Sequence, residues 1–335
     1  MTVTIGVIGT GNIGADHVRR LSAEVSGARV GAVSDVDVVR ARAVADSVRG
    51  ARVHADPLDI VDDPAVDAVL IASPGDTHAD LVLACLAADK PVLCEKPLAT
   101  TSDAAFKVVG AEAALGRRLV QVGFMRRYDA GYRQVKATLD DDGIGEPLLL
   151  HCAHRNATVP PTFTSDMALT DSVVHEIDAA RWLLGEEITA TTVLRTRPSP
   201  FAAEHLLDPQ LVLLETASGV LVEVEVFVNC RYGYDVRCEV VGSEGTVSLE
   251  SPSTGAVTRG GTRAQHIPAD WRERFDGAYR EELQHWVDGL HAGTTGGPGA
   301  WDGYAATLVA ESCVAALTSG RRTTVAAGDR PALYV

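Results

Sequence analysis

The sequence predicts an α/β fold for the first part of the chain and an α+β second part with a large, mostly antiparallel, open sheet. Up to about Val122, short apolar β-branched runs alternate with longer segments that carry charge on one face. This alternation indicates a parallel sheet covered on both faces by helices. Beyond Gly123, strand-like runs follow one another with turn residues between them, which is typical of antiparallel pairing. A chain of 335 residues suits two domains, which we expect at 1–122 and 123–335.

The elements of the first domain follow from these runs. Apolar β-branched runs predict strands at 3–8, 30–34, 66–72, 91–94 and 119–122. The one-sided charge of the segments between them predicts helices at 13–23, 38–48, 76–88 and 103–115.

The second domain shows a different order of signals. A helix at 132–139 leads to a strand at 147–156, a Pro/Thr-rich loop at 159–165 and an amphipathic helix at 171–184, which Gly185 ends. Turn residues at 217–219 and 242–245 predict hairpins within a set of strands at 188–195, 211–216, 220–228, 236–241 and 246–249. Composition predicts a mobile loop at 251–264, then closing helices at 272–290 and 304–317 around a Gly-rich linker at 293–299.

Composition excludes several classes of function. The 45 acidic residues exceed the 30 basic ones and give a net charge of −15, so nucleic acids and anionic membranes are not expected partners. Apolar runs fall far short of the roughly 20 residues of a membrane span, and residues 1–8 predict a strand rather than a signal peptide. The six cysteines include no Cys-x-x-Cys pair, so we expect reduced, buried thiols in a cytoplasmic protein.

A glycine-rich turn, Gly9-Thr-Gly11-Asn-Ile-Gly14, follows the first strand and opens the first helix. In that context the glycines permit a tight turn, close approach of a pyrophosphate, and packing of helix on strand. Asp35 ends the second strand about 20 residues later, where a carboxylate binds ribose hydroxyls and repels a 2′-phosphate. The sequence therefore predicts a Rossmann dinucleotide-binding domain that prefers NAD to NADP, with contacts from Gly9, Gly11, Asn12, Ile13, Gly14 and Asp35.

Polar residues also follow the strand at 66–72. Ser73 and Pro74 lie at the carboxyl edge of the sheet, where open α/β sheets bind ligands, and we expect them to line the nicotinamide side. His78 either joins them there or faces solvent at the start of the next helix.

Lys96 stands in the triplet Glu95-Lys96-Pro97 at the end of the strand at 91–94. It is one of only four lysines in the chain, and a compact ammonium can do chemistry that arginine cannot. Lys96 either points into the cleft or is an ordinary surface lysine, and Pro97 permits a cis peptide bond.

Asp171 and His175 lie four residues apart in the predicted helix at 171–184, so their side chains share one face. A histidine can take a hydroxyl proton near neutral pH, and a neighbouring carboxylate can hold its tautomer. Asp178 follows on the same face and can hydrogen-bond a substrate hydroxyl. The alternative is a surface pair without chemistry. Zinc is not expected, because Ala179 breaks the pattern His-Glu-x-x-His.

Together these features resemble the glucose-fructose oxidoreductase, inositol dehydrogenase and rhizopine catabolism family of NAD(P)-dependent oxidoreductases. The resemblance rests on the glycine turn at 9–14, the triplet at 95–97 and the Asp-x-x-x-His pattern at 171–175, and it covers nearly the whole chain. The segments at 121–129, 151–156 and 166–178 are more specific. They are similar to the bacterial inositol 2-dehydrogenases within that family.

This resemblance implies NAD-dependent oxidation of the axial hydroxyl of myo-inositol to 2-keto-myo-inositol (scyllo-inosose), with hydride passing to C4 of the nicotinamide. It implies a catalytic set in which His175 is the general base, Asp171 its orienting partner and Lys96 a cationic donor. Glu95 and Lys96 are also expected at the cofactor, and a homotetramer is implied through the open face of the second sheet. The implied polyol-binding residues are Lys96, Arg126, Asn156, Asp171, His175, Asp178 and Tyr234.

Two alternatives remain open. The same chemistry on another cyclic polyol or sugar, such as scyllo-inositol, D-chiro-inositol or an aldose oxidised at C1, would use the same residues. A non-catalytic dinucleotide sensor would instead be expected to lack the set of Lys96, Asp171 and His175. Residues 257–268 match no pattern of the family, which leaves the fine substrate preference open.

Overall fold

The structure is a computed structural model that describes residues 2–249 and 256–335. The chain divides into two compact units, each built from separate stretches of sequence. The first unit comprises Met1–Met125, Gly277–Thr307 and Ala327–Val335, and the second comprises Arg126–Asp276 and Leu308–Ala326. The domains expected from the sequence, 1–122 and 123–335, are continuous stretches and therefore differ from these units. No pattern in the sequence signals that the chain returns to its first unit.

The first unit contains a six-stranded sheet in the order β3-β2-β1-β4-β5-β6, and all of its neighbouring strands are parallel. This confirms the predicted parallel sheet. The order reverses between β1 and β4, and open α/β sheets bind ligands at the carboxyl ends of strands beside such a reversal. The strands are β1 (Val3–Ile8), β2 (Ala28–Ser34), β3 (Arg52–His54), β4 (Ala68–Ile71), β5 (Val92–Glu95) and β6 (Val120–Gly123).

Helices connect these strands, and local capping explains where several of them begin. The side chains of Asp37, Asp56 and Thr101 accept hydrogen bonds from free N–H groups at the starts of three helices. Neither β3 nor the third helix is predicted by the sequence pattern, because both are too short to show a periodicity. The helices are α1 (Asn12–Ala23), α2 (Val38–Asp46), α3 (Pro57–Asp62), α4 (His78–Ala87) and α5 (Ser102–Leu115).

The second unit contains a seven-stranded sheet in the order β12-β11-β7-β10-β9-β8-β15. The neighbours β7 and β10 are parallel and the other neighbouring pairs are antiparallel, which confirms a mostly antiparallel sheet. Two more strands, β13 and β14, pair with each other. The strands are β7 (Pro147–Arg155), β8 (Ile188–Arg195), β9 (Gln210–Thr216), β10 (Leu221–Phe227), β11 (Asp235–Gly242), β12 (Thr246–Ser248), β13 (Ala256–Arg259), β14 (Thr262–Gln265) and β15 (Thr323–Thr324).

The prediction of a mobile loop at 251–264 is wrong in part. Residues 251–255 lie outside the described residues, whereas β13 and β14 form a hairpin. Its two turn residues, Gly260 and Gly261, have φ of 57° and 77°, as a two-residue hairpin turn with both φ values positive requires. The Gly-Gly pair was therefore a hairpin signal within a segment whose composition suggested a loop.

The remaining helices include one whose start differs from the prediction. Residues Ala168–Val173 are π-helical and α8 begins only at Val174, so Asp171 precedes the α-helix that was predicted to contain it. A π-helical turn bonds residues five apart and is frequent at functional sites. As predicted, the helix ends at Gly185, which has φ 69°. The helices are α6 (Ala130–Asp140), α7 (Ser165–Met167), α8 (Val174–Leu184), α9 (Trp271–Arg274), α10 (Asp276–Ala292) and α11 (Ala300–Ser319).

The core of the first unit includes side chains from late in the sequence. Leu283, Trp286 and Val287 of α10 are buried in the same apolar cluster as Ile5 and Val7 of β1. Burying a large apolar side chain contributes roughly 1.5–3 kcal/mol, so α10 stabilises the sheet that bears the glycine turn. Across the described residues, no helix is both long enough and apolar enough to cross a membrane.

Candidate active site

The turn between β1 and α1 requires its glycines for different reasons. Gly9 has φ 92°, and a Cβ on it would overlap the backbone at the end of β4, while a Cβ on Gly14 would overlap the carbonyl oxygen of Gly9. A Cβ on Gly11 would meet no atom within 4 Å. Gly11 therefore borders open space at the N-terminus of α1, where Asn12 is exposed and Ile13 is half-buried, and this room fits the approach of a pyrophosphate.

Asp35 follows β2, and its carboxylate joins β2 to the glycine turn. Its Oδ2 accepts hydrogen bonds from the backbone N–H and the hydroxyl of Thr10, at 2.7 and 2.9 Å. Its Oδ1 accepts from the N–H of Asp37 at 2.9 Å and from Nη2 of Arg40 at 2.6 Å. Burial raises the pKa of Asp35, but these donors outweigh it and lower the pKa to about 2. The carboxylate is therefore charged throughout the physiological pH range.

His78 begins α4 and is 1% exposed, so the alternative of a solvent-facing histidine is wrong. Its Nδ1 lies 2.7 Å from the carbonyl oxygen of Pro97, and its Nε2 lies 2.8 Å from that of Ser73. The two ring nitrogens therefore face backbone carbonyl oxygens of two different loops. His78 thus ties together the loops after β4 and β5, with Ser73 half-buried and Pro74 exposed.

Lys96 follows β5 and is half-buried, with a cis peptide bond to Pro97. The preceding Glu95 is buried, and its Oε1 accepts a hydrogen bond from Nε2 of His17 at 2.7 Å. Its Oε2 accepts from the backbone N–H of Lys96 at 3.3 Å. A Cβ on Gly123 would come within 2.9 Å of this oxygen, so Gly123 leaves room for it. Glu95 therefore holds the backbone that carries Lys96.

The second unit holds the other predicted catalytic residues on one stretch of chain. His175 is the second residue of α8 and is 7% exposed, whereas Asp171 lies in the π-helical segment and is half-buried. Asp178 is 1% exposed. Its Oδ2 accepts a hydrogen bond from Nε of Arg127 at 3.0 Å, and its Oδ1 accepts another from Nη2 of the same guanidinium.

A buried network of charged and polar groups lies beside His175. Arg126 is 1% exposed, and its guanidinium forms an ion pair with Glu176 and donates to the hydroxyl of Tyr132 at 3.3 Å. Nδ1 of His154 lies 3.0 Å from Oε1 of Glu176 and 3.1 Å from Nη2 of Arg126. A protonated Nδ1 donates to the carboxylate and an unprotonated one accepts from the guanidinium, so Nδ1 of His154 has a partner in both states.

The electrostatics of this network follow from its burial. Burial raises the pKa of Glu176, but the charge of Arg126 and the contacts with His154 outweigh it and hold the pKa below its usual 4.5. Burial lowers the pKa of Arg126, yet Glu176 raises it well above its usual value. The ring of His154 stacks on His175 with centroids 6.3 Å apart. The ion pair therefore fixes the ring against which the proposed base packs.

Two further predicted polyol-binding residues lie in this unit. Asn156 follows β7 and is half-buried. Tyr234 is 5% exposed, and its ring meets His154 edge-on at 5.7 Å between centroids. Burial raises the pKa of Tyr234 to about 12, so its hydroxyl remains a hydrogen-bond donor at neutral pH.

Several side chains of these networks are absent from the sequence-based prediction. Some carry a signal that could have been used: Glu176 is a charge among the apolar residues of a buried helix, and Arg126-Arg127 is a pair of cations next to a strand. Others have no such signal, because their partners are distant in sequence. The unpredicted residues are Thr10, His17, Arg40, Arg127, Tyr132, His154 and Glu176.

The doubly wound parallel sheet, its glycine turn and the charged carboxylate after β2 define a dinucleotide-dependent oxidoreductase with a separate α/β unit. Residues 3–124 match the family described as "Oxidoreductase family, NAD-binding Rossmann fold", and residues 136–326 match "Oxidoreductase family, C-terminal alpha/beta domain". The chain belongs to this glucose-fructose oxidoreductase, inositol dehydrogenase and rhizopine catabolism family.

Relatives are similar along the whole chain. "Inositol 2-dehydrogenase 3" of Saccharopolyspora erythraea is 55% identical over 335 residues, covering 100% of this chain and 98% of the relative. "Inositol 2-dehydrogenase" of Burkholderia ambifaria is 51% identical, covering 100% of this chain and 99% of the relative. The crystal structure of myo-inositol dehydrogenase from Lactobacillus casei in complex with NAD(H) and myo-inositol is 36% identical and covers 100% of both chains, with a TM-score of 0.97.

The buried ion pair predicts a large loss of stability when its carboxylate is removed. Glu176→Gln leaves Arg126 buried and uncompensated, so we expect the free energy of unfolding to fall by about 3–5 kcal/mol. Glu281→Gln is the matched control, because Glu281 pairs with Arg280 on α10, where the two side chains are 52% and 48% exposed. That change should cost less than about 1 kcal/mol. Denaturant unfolding of both variants tests this, and similar losses would contradict it.

The same pair predicts a dependence of stability on pH. The pKa of Glu176 is lowered in the folded protein, so its stabilisation is present above the ordinary pKa of 4.5 and is lost as pH falls through the folded value. The wild type should therefore lose stability below pH 4.5 more steeply than Glu176→Gln, which lacks the titrating group. Unfolding curves between pH 7 and pH 3 measure this, and parallel curves would show that the ion pair contributes nothing.

Proposed function

We propose that the protein is an NAD-dependent inositol 2-dehydrogenase. It oxidises the axial hydroxyl of myo-inositol to 2-keto-myo-inositol, with a hydride passing to the nicotinamide and a proton leaving through the protein. The observation that carries this proposal is the full-length likeness to the myo-inositol dehydrogenase of Lactobacillus casei in complex with NAD(H) and myo-inositol, at a TM-score of 0.97. The names of the full-length relatives at 51–55% identity support the same activity.

The first unit supplies groups that fit the cofactor. Open space borders Gly11 at the start of α1, and the free N–H groups of this helix terminus would hold the pyrophosphate. The charged carboxylate of Asp35 would accept the ribose hydroxyls and disfavour a 2′-phosphate. Ser73 and Pro74 would border the nicotinamide, which serves as the hydride acceptor when NAD is bound. Glu95 has both oxygens committed to His17 and to the backbone, so its proposed part is to hold Lys96 in place.

We assign the chemistry of the hydroxyl to three residues. His175 would take the hydroxyl proton as general base, and Asp171 would orient its ring, a type of positioning that contributes about 10²–10⁴-fold. Lys96 would donate a hydrogen bond to the oxygen as negative charge develops on it. The stacking of His175 on His154 supports this assignment, because a base must be held in one orientation to act.

The polyol would be bound by groups that are already partnered within the second unit. Asp178 accepts two hydrogen bonds from Arg127, and a carboxylate has about four lone-pair sites, so it retains the capacity to accept from a substrate hydroxyl. Arg126 forms an ion pair with Glu176. Asn156 and Tyr234 would complete the set of residues that bind the polyol.

We also propose a cytoplasmic homotetramer built through the open face of the second sheet. Alternate residues of β9 and β10 are buried and half-exposed, so one face of these strands is available for a second copy. All six cysteines are free, as expected in a reducing compartment.

The catalytic assignment predicts the loss of turnover without the loss of cofactor binding. Lys96→Ala and His175→Ala should each lower kcat for myo-inositol at least about 10²-fold, since each removes a group that acts on the hydroxyl. Lys107→Ala and His291→Ala are the controls, because both residues are exposed and belong to neither the catalytic nor the polyol-binding set. Steady-state kinetics, with NADH binding followed by fluorescence, measure both properties. Near wild-type kcat in either variant would refute its role.

The substrate assignment predicts a ranking among polyols. Initial rates with myo-, scyllo- and D-chiro-inositol and with aldoses, each with NAD and with NADP, should be highest for myo-inositol and NAD. The absorbance of the reduced nicotinamide reports the rate. Turnover of an aldose without turnover of myo-inositol would move the protein to another activity of the family, and turnover of no polyol would favour a sensor.

The ribose assignment predicts a change in cofactor preference. Asp35→Ser should weaken NAD binding about tenfold, because charge-assisted hydrogen bonds contribute roughly 1.5–3 kcal/mol, and it should reduce the discrimination against NADP. Asp59→Ser makes the same change of charge on a side chain that is 62% exposed on α3 and should leave the preference unchanged. An unaltered ratio of kcat/KM values for the two cofactors in Asp35→Ser would exclude the role.

A further inference from the structure

Two consecutive hydrogen bonds join the proposed catalytic lysine to the helix that opens at the glycine turn. His17 lies in the second turn of α1 and is 0% exposed. Its Nε2 donates to Oε1 of Glu95 at 2.7 Å, and Oε2 of Glu95 accepts from the backbone N–H of Lys96 at 3.3 Å. The contacts therefore run from a side chain of α1 to the backbone of Lys96.

The carboxylate in the middle of these contacts depends on its donors. Glu95 is 6% exposed, and a buried carboxylate is stable only where hydrogen bonds replace those that it makes in water. Without the donor on Oε1, the carboxylate would turn towards another donor, and Oε2 would leave the N–H of Lys96. The N–H of His17 therefore determines where the carboxylate lies.

The ring of His17 is itself held by packing within the first unit. The ring of Tyr279 on α10 meets it edge-on, with centroids 5.6 Å apart. The guanidinium of Arg20, nearly one turn further along α1, lies over the same tyrosine ring at 5.0 Å. Nδ1 of His17 has no hydrogen-bond partner among the residues that the structure describes. The contact with Glu95 is therefore the polar role of this buried ring.

We propose that His17 is a positioning residue for the oxidation, which acts through Glu95 to fix the backbone that carries Lys96. This inference rests on the proposed function, because it concerns the role of Lys96 in that reaction. α1 begins at Asn12, five residues before His17, which is about 7.5 Å along the helix axis. One helix would therefore hold the pyrophosphate at its N-terminus and the lysine through its second turn, so that the cofactor and Lys96 keep a fixed separation.

Two amide side chains separate the hydrogen bond of His17 from its polarity. Counted in bonds from Cα, the amide nitrogen of Gln lies where Nε2 lies in His, whereas that of Asn lies where Nδ1 lies. His17→Gln should therefore keep kcat for myo-inositol within about threefold of the wild type. His17→Asn and His17→Phe place no donor within reach of Glu95. Each should lower kcat about 10–10²-fold, because a misplacement of about 1 Å costs up to 10²-fold.

Leu21→Ala is the matched control for a loosened helix. Leu21 is 1% exposed and lies one turn beyond His17 on the same face of α1, and its truncation leaves a cavity in the core. Its kcat per folded molecule, with folded protein counted from the stoichiometry of NADH binding, should equal that of the wild type. If His17 were merely structural, His17→Asn would behave in the same way.

A double-mutant cycle shows whether His17 acts through Lys96. In the Lys96→Ala background the lysine side chain is gone, so His17→Asn should change the residual kcat by less than about twofold. Equal losses in the two backgrounds would overturn the inference. An unchanged kcat in both His17→Asn and His17→Phe would overturn it as well.

Amide hydrogen exchange followed by mass spectrometry tests the positioning without turnover. The amide of Lys96, resolved from overlapping peptides that cover 93–99, should exchange at least about tenfold faster in His17→Asn than in His17→Gln or Leu21→Ala. The reason is that this N–H loses its acceptor only in His17→Asn. Wild-type exchange in His17→Asn would refute the positioning role. The expected exchange in a protein that turns over no polyol would contradict the proposed function and leave the positioning of Lys96 by His17 in place.

Discussion

A buried carboxylate is stable only when donors surround it, and this constraint shapes both units of the protein. Glu95 is held by His17 and Glu176 by Arg126. These two glutamates are direct sequence neighbours of the proposed catalytic lysine and histidine. The hydrogen bonds that offset their burial therefore also hold the backbone on which the chemistry depends. Asp35 follows the same rule, because its donors tie the glycine turn to the end of β2.

The parts of the site that could be predicted are those whose residues lie close together in the sequence at a fixed spacing. The glycine turn opens a helix directly after a strand, and Asp35 ends the next strand, so one stretch of sequence contains the whole pattern. The cis bond permitted at Pro97 and the helix end at Gly185 are equally local, and both occur. The contact of Thr10 with Asp35 could not be predicted, because it depends on how β1 and β2 align rather than on spacing along the chain.

The fold was predictable to the same extent and for the same reason. The periodicity of the apolar residues and the positions of turn residues predict most strands of both sheets. They do not predict the sheet against which a helix packs. Leu283 and Trp286 show this, since the apolar face of α10 would suit either sheet and lies in the core of the first unit. The π-helical turn at Ala168–Val173 is a second feature that the sequence does not predict. Its hydrogen-bond register differs from that of an α-helix by one residue, a difference that apolar periodicity does not resolve.

The acidic composition of the chain fits the neutral substrate that we propose. An anionic substrate is favoured by cationic side chains, which a chain of net charge −15 supplies poorly. A polyol instead presents hydroxyls, each of which both donates and accepts. The pairing of Asp178 with Arg127 offers acceptor and donor atoms together while the two charges balance. An arginine held in such a pair is not free to act on an alkoxide, and this leaves that role to a lysine with an adjustable, compact charge.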